Sequence, residues 1–577
     1  MIDKNNIKIV LVAIYSEKFA MIGESHGISV IAGELISKKI VKTENLLVVD
    51  MYAYDQNVPK EDIFSEIIRF NPNMIGFSCP YGSYDYLKDI YSKKKFSDIV
   101  PKPLIVFGGA LPTYIPEKYL IEIDNTAVAI RGEGEEAICA LVESLITTKE
   151  LSSINNISFY KSGTIIHNKR KQVNLKNVAL PYRNHIPNLL KVNAQIFVEN
   201  SRGCAWGKCY FCSRDIYLDD YKSTKYRRFP LKRLEQDLIN LANYSVTTIT
   251  FADEDFCGSG LDEMHDIVTI FKNLQKIGIE FIFDVSMNVN SIYSNSWTDS
   301  QKITAKDLLS ILKVLGLRKV FLGVESGTAE QLKRYNKQHH PNEAVMAINL
   351  LRDLKIQIEI GYILFDPLCT IPEIEDNIKY LLDNNLSEIT SSLGSGLELR
   401  LHFATQYVML LDHYYNKIGN KLYDNCFDND TLNYPTYYAD EKISKICYFI
   451  REANKTIRPL YYPLKSISRY GEVGALGSYS KDIKNIIMSI RKLYIHHIKE
   501  CVALFSNGGL NILIQDTLEN LEISIINLYN QNKELLSKMV AETQNIVLLT
   551  AVNEFEIYLA MKYGKTLVCR QYGGECK

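Results

Sequence analysis

Three cysteines stand within nine residues in the segment Ser201-Arg202-Gly203-Cys204-Ala205-Trp206-Gly207-Lys208-Cys209-Tyr210-Phe211-Cys212. Thiolates are soft ligands, and three of them on a loop that glycines allow to wrap can surround one metal centre. A four-iron four-sulfur cluster held by Cys204, Cys209 and Cys212 alone would keep one iron open for chemistry. A structural zinc site asks for a fourth Cys or His at short spacing, and the nearest histidine, His185, lies well upstream. With 12 cysteines in 577 residues, chance clustering is a poor explanation, so the segment reads as a cluster loop. The other cysteines, among them Cys79, Cys139, Cys426, Cys447 and Cys501, are scattered and read as small apolar residues, with Cys569 and Cys576 in a polar tail.

Such a loop must be carried by something rigid. An apolar strand, Ile196 to Asn200, leads into it and opens a series of alternating strands and amphipathic helices. The further strands are expected at Thr248 to Ala252, Phe281 to Met287, Val320 to Gly323, Ile358 to Leu364 and Ile389 to Leu393. Six units fall short of the eight of a closed barrel, which predicts an open, partial (β/α)6 barrel with its site at the carboxyl ends of the strands. Upstream, buried strands at Ile9 to Ile14, Leu46 to Met51, Met74 to Ser78, Leu104 to Phe107 and Ala127 to Ile130 alternate with helices and predict a doubly wound parallel sheet. Its site belongs at the loops Ser78-Cys79-Pro80, Gly108-Gly109 and Gly132-Glu133-Gly134. A hairpin around Lys161-Ser162-Gly163 separates the two series, and beyond Leu399 the pattern turns helical. The expected division is α/β throughout the first two thirds: 1–150 sheet domain, 151–190 hairpin and linker, 191–400 barrel, 401–577 helical domain.

The cysteine segment resembles the radical S-adenosylmethionine (SAM) signature, C-x3-C-x2-C with an aromatic residue before the last cysteine. Here the first gap is one residue longer and Phe211 fills the aromatic position. The resemblance implies SAM contacts at Phe211, against the adenine, and at Asp253 in Thr250-Phe251-Ala252-Asp253-Glu254-Asp255-Phe256, facing the methionine amino group. It also implies Asn288 for the methionine carboxylate. Glu325 and Ser326, in Gly323-Val324-Glu325-Ser326-Gly327-Thr328, would take the ribose or the methionine end, followed as in the family by Asn336-Lys337. Asp366, where relatives carry glycine before a proline, is either a substrate contact or the opening of a turn.

A doubly wound sheet ahead of such a barrel resembles the cobalamin-binding subfamily. The matching segments include His26-Gly27-Ile28, Gly76-Phe77-Ser78, Phe107-Gly108-Gly109-Ala110-Leu111-Pro112-Thr113 and Arg131-Gly132-Glu133-Gly134. They imply cobalamin contacts at Ser78, Gly108, Gly109, Thr113, Glu133 and Gly134. No Asp-x-His-x-x-Gly is present, so a histidine below the cobalt is not expected. The alternative is a sheet kept as a scaffold that binds nothing. The implied activity is a radical C-methyltransferase working through a 5′-deoxyadenosyl radical on a peptide or other natural-product precursor, with flavodoxin or ferredoxin as reductant. The competing activities are ring contraction, cyclisation or other C–H modification without methyl transfer, and a non-catalytic cobalamin or metal sensor.

Composition bounds the partners. A formal charge of -1 with interleaved signs carries no footprint for nucleic acid or an anionic membrane. The N-terminus lacks the layout of a signal peptide and no apolar run reaches the ~20 residues of a membrane span. A cytoplasmic protein with reduced thiols is expected.

Overall fold

The computed structural model describes residues 6–15, 23–52, 60–94, 96, 99–147, 149–192, 194–213, 226–258, 260–391, 393–403, 405–470, 477–506, 511–543 and 546–563. The tail cysteines Cys569 and Cys576 lie outside the described residues.

The first series folds as strands β1 (Ile9–Ala13), β2 (Leu46–Asp50), β3 (Met74–Ser78), β4 (Leu104–Gly108) and β5 (Val128–Ile130). All five are parallel, in the order β2-β1-β3-β4-β5. Every residue of β1 is buried, as expected of a strand covered by helices on both faces. The order reverses between β1 and β3, the switch point at which open parallel sheets bind ligands. The predicted hairpin forms as β6 (Ile157–Lys161) and β7 (Thr164–His167). Ser162 and Gly163 turn with positive φ, 50° and 87°, as a two-residue hairpin of this hand requires. The hairpin does not stand apart as a linker; β6 pairs antiparallel with β5 and extends the sheet to seven strands.

The second series opens with β8 (Phe197–Val198), then β9 (Ser201–Gly203), which pairs antiparallel with β10 (Tyr226–Arg228). The barrel wall continues with β11 (Thr248–Phe251), β12 (Ile282–Met287), β13 (Leu317–Glu325) and β14 (Gln357–Tyr362). These pair in parallel in the order β14-β13-β12-β11-β8. Among the described residues of the sixth expected strand, Ile389 to Leu393, the pairing is one bridge between Thr390 and Ile360. The Thr390 hydroxyl donates to the Ser387 carbonyl (2.9 Å), and this local turn takes the place of a ladder.

The helices Glu441–Tyr470, Ser480–Ser506, Asn511–Thr543 and Ile546–Tyr563 follow. Ile450, Ile487 and Ile490 share one apolar core with Ile360 and Leu381 of the barrel. Buried Arg491 reaches across that seam to Glu359 on β14 (3.0 Å). The two α/β units are joined just as closely: Gly23 bridges Gln195, and the Glu24 amide donates to the Gln195 carbonyl (2.8 Å). No described helix is long and apolar enough to cross a membrane.

Candidate active site

β9 delivers Cys204 into a loop whose path is fixed by backbone conformation and by contacts from two distant segments. Gly203 and Gly207 take left-handed φ of 87° and 51°, which a side chain would resist. Trp206 Nε1 donates to the Asn336 carbonyl (2.7 Å), Asn336 Nδ2 to the Lys208 carbonyl (2.8 Å), and the Tyr210 amide to the Tyr335 carbonyl (3.0 Å). From the other side the Tyr407 amide donates to the Tyr210 carbonyl (2.9 Å). Gly207 thus turns between two residues, Trp206 and Lys208, that are both bonded to Asn336.

Cys204, Cys209 and Cys212 are half-buried and border one cavity of about 500 Å³. Burial pushes the Cys209 thiol up to about 12, against the pull of the nearby Lys337 ammonium. The opposite side of the same cavity is the carboxyl end of the first sheet, with Ser78, Gly108, Gly109, Glu133 and Gly134 all on its wall. Apolar Leu11, Val30 and Val106 extend the wall beside the strands.

Gly27, on that wall at the start of helix His26–Ser37, tests whether the cavity suits a large ligand. Its backbone is helical, and a Cβ added there would meet no protein atom within 4 Å. Nothing in the protein demands glycine, which is a poorer helix former than alanine. Gly27 is exposed and leaves open room on the cavity wall. Gly109 differs: its φ of 100° and a Cβ 3.0 Å from the Cys79 backbone both exclude a side chain.

Thr113 does not border the cavity. Its hydroxyl donates to the Gly109 carbonyl (2.7 Å) and accepts from the Gly132 amide (2.9 Å), tying the loops after β4 and β5 together. Glu133 is on the wall, yet its carboxylate is taken by Arg202 (3.1 Å), by Arg227 and by the Val173 amide (2.7 Å). Arg202 also reaches Glu135 (2.6 Å) and Glu199 (2.7 Å). These ions couple the first sheet to the β9–β10 ladder that carries the cysteines.

On the barrel side, Asp253 is buried and faces inward to the Asn200 amide (3.0 Å) and the Ser201 hydroxyl. Burial pushes its carboxyl up to about 7. Its neighbours face the site: Glu254 borders the cavity and accepts from the Gly203 amide (2.7 Å), and Asp255 lies 4.0 Å from the Cys204 sulfur. Asn288 is brought to the same place, with Nδ2 donating to Asp255 (2.7 Å) and to Cys204 Sγ (3.4 Å). Glu325 ends β13 with φ 65° and pairs with Lys337 (3.4 Å). Ser326 is fully buried and donates to Asn377 (2.9 Å), shaping the turn after β13. Phe211 packs edge-on against Tyr335, ring centres 5.4 Å apart. Tyr335 donates to Asp366 (3.0 Å), as do Tyr407 (2.6 Å), Gln331 (2.9 Å) and Arg334 (2.8 Å). Asp366 is thus enclosed and bonded rather than presented at the mouth; against its burial, Arg334 holds its carboxyl below the usual range.

His26, Arg202, Glu254 and Lys337 stand in the matching segments without a role of their own, and Glu199 stands outside them; their places at the site come from the fold. His26, on the cavity wall, stands between Glu199 (3.7 Å) and Glu24 (3.9 Å), with Arg183 at 3.3 Å. Burial favours the neutral ring, but the two carboxylates outweigh it and Arg183, lifting the imidazolium to about 9 from an ordinary 6.5. A raised folded value means the stabilisation is complete below pH 6.5 and fades as pH rises through about 9. The thermal midpoint of the full chain is therefore expected to fall more over that window than the midpoint of His26→Gln. Parallel curves would contradict the assignment.

A family model described as B12 binding domain matches residues 14–142, and one described as Radical SAM superfamily matches residues 198–384. The chain thus carries a B12-binding domain followed by a radical SAM domain. The 4′-phospho-dehydrooxetanocin synthase of Priestia megaterium is 27% identical over 351 residues, 59% of this chain and about half (47%) of that protein's length. Uncharacterized methyltransferase PH0819 of Pyrococcus horikoshii is 23% identical over 439 residues, 74% of this chain and 85% of the relative. The fold is that of the cobalamin-dependent SAM radical enzyme OxsB, solved with aqua-cobalamin and SAM bound. That match has a TM-score of 0.77 at 20% identity and covers 95% of this chain and 84% of the other. The cofactors are a four-iron four-sulfur cluster, SAM and cobalamin, and the chemistry requires a substrate and a source of electrons.

Proposed function

We propose that the chain is a cobalamin-dependent radical SAM C-methyltransferase acting on an unactivated carbon of a small natural-product precursor or peptide. One observation carries the reading: the three cysteines and the glycine-rich end of the first sheet border a single cavity, so a radical made at one wall faces whatever the other wall holds. Cys204, Cys209 and Cys212 would hold the cluster. Glu254, Asn288 and Glu325 surround the place where the amino-acid end of SAM meets it, and Phe211, braced by Tyr335, sits where the adenine would lie. Gly27, Ser78, Gly108, Gly109 and Gly134 offer backbone to the corrin. When bound, the cluster and SAM supply a 5′-deoxyadenosyl radical and cobalamin supplies the methyl group. The chain's own part is to position these groups and keep water out.

The segment after the barrel is read as a cap over the site. The His402 ring meets the Tyr81 hydroxyl (3.0 Å) and Asp430 receives the Tyr84 amide (2.7 Å), while Tyr407 holds the cluster loop. A flavodoxin or ferredoxin is the reductant in this reading.

Product mass tests it. Reduced holoenzyme with SAM and its substrate is expected to release 5′-deoxyadenosine and a product heavier by one CH2. A second reading, radical rearrangement or oxidation without methyl transfer, is favoured by the relative named a synthase rather than a methyltransferase. A product of unchanged or hydrogen-depleted mass would replace the first reading with the second.

A further inference from the structure

Gly323 on β13 and Gly361 on β14 face each other directly in the register of the barrel wall. Glycine inside a strand weakens it, so two in opposition call for a reason. A Cβ at Gly323 would lie 2.8 Å from Glu325 Oε1 and 3.2 Å from Lys337 Nζ; one at Gly361 would lie 3.3 Å from Glu325 Oε2. The paired glycines are a floor cleared for an ion pair. Glu325 reaches that position through a left-handed φ of 65°, with the β13–β14 register shifting just before it, a conformation unfavourable for a non-glycine residue.

The Lys337 side chain is only 7% exposed, and its ion pair with Glu325 is a loose one at 3.4 Å. The strip leading to it, Tyr335-Asn336, is bonded to the cluster loop at Trp206, Lys208 and Tyr210. That strip carries Lys337 directly behind Asn336, the residue that grips the cluster loop between Cys204 and Cys209. Burying an ammonium is unfavourable unless negative charge faces it. Glu325 supplies that charge through one loose contact, and a cluster on the adjoining loop would add more.

We propose that Lys337 is an electrostatic positioning residue for the iron-sulfur cluster: its buried ammonium raises the cluster's reduction potential, with Glu325 as the counter-ion that holds it in place. The inference rests on a cluster at Cys204, Cys209 and Cys212. One electron from the external reductant adds one negative charge to the cluster, and a fixed positive charge in a poorly screened site favours that reduced form.

The test is a redox titration, followed by electron paramagnetic resonance, of the anaerobically reconstituted full chain, with iron counted in every sample. Iron content of the unsubstituted protein comes first, because its failure to hold about four irons would remove the cluster itself, an outcome distinct from any effect of Lys337. Lys337→Met, of similar length and neutral, is expected to keep its iron and to show about a tenfold higher oxidised-to-reduced ratio at a fixed potential, a fall of about 59 mV for one electron. Lys337→Arg is expected to stay near the original midpoint. An unchanged midpoint in Lys337→Met with full iron overturns the proposal. Should Lys337→Met lose its iron, recovery of iron in Lys337→Arg supports a need for the charge, and loss in both variants overturns it.

Discussion

Replacing Cys209 by alanine is expected to abolish stable cluster binding and to cut 5′-deoxyadenosine release by at least about a thousandfold, a loss of about 4 kcal/mol in barrier lowering. No substitute ligand is at hand: among the described residues the carboxylates nearest the loop are already engaged, Glu254 by the Gly203 amide and Asp255 by Asn288. The fold is expected to survive. The loop is held through the Trp206 indole, the Lys208 carbonyl and the Tyr210 backbone, none of which depends on the Cys209 sulfur. Iron analysis, circular dichroism and product chromatography on one preparation check all three expectations. Full iron with undiminished 5′-deoxyadenosine release would remove Cys209 from the site, whereas an unfolded variant would show the sulfur to be structural.

The second large effect is expected at Gly27. Because a Cβ there meets open space and the backbone is helical, Gly27→Ala is expected to stabilise the corrin-free protein by a few tenths up to about 1 kcal/mol. Gly27→Leu fills the space with a side chain and is expected to weaken cobalamin binding at least tenfold, about 1.4 kcal/mol, while leaving the iron content intact. Equilibrium dialysis with hydroxocobalamin, alongside thermal unfolding without it, separates the two effects. Cobalamin bound equally well by Gly27→Leu would mean that this wall does not face the corrin.

The two predictions divide the cofactors between the two walls of the cavity, and that division was legible in the sequence to different depths. The buried runs that became β1 and β3 read clearly because a strand covered on both faces needs continuous apolar residues. The hairpin turn at Ser162-Gly163 read equally well from local chemistry. Its attachment to β5 did not, since edge pairing depends on which strand is left open. The long helix Glu441–Tyr470 illustrates the same limit: Pro459 and Pro463 discourage a helix locally, yet it runs on to Tyr470 because Leu460, Tyr461 and Leu464 are buried in the shared core.

At the site itself, spacing located the cysteines but not the charges that serve them. Asp253, Glu254 and Asp255 are adjacent acids just past the end of β11, and motif alone does not say which of them turns toward the cavity; Asn200 and Ser201 turn Asp253 inward, and Glu254 borders the cavity. Glu133 read as a ligand-facing acid because Arg202 and Arg227, its partners, lie 69 and 94 residues away. Lys337 offered a similar difficulty: the segment Asn336-Lys337 was recognisable, but not that Asn336 would bond a loop more than a hundred residues earlier.

The central claim is that one chain holds a cluster and a corrin across a single cavity. Anaerobic purification of the full chain followed by iron, sulfide and corrin analysis tests it most directly. About four irons, as much sulfide and about one corrin per chain are expected, with less corrin retained in Gly27→Leu and the iron lost in Cys209→Ala. Four irons with no corrin retained, even after incubation with hydroxocobalamin, would contradict it.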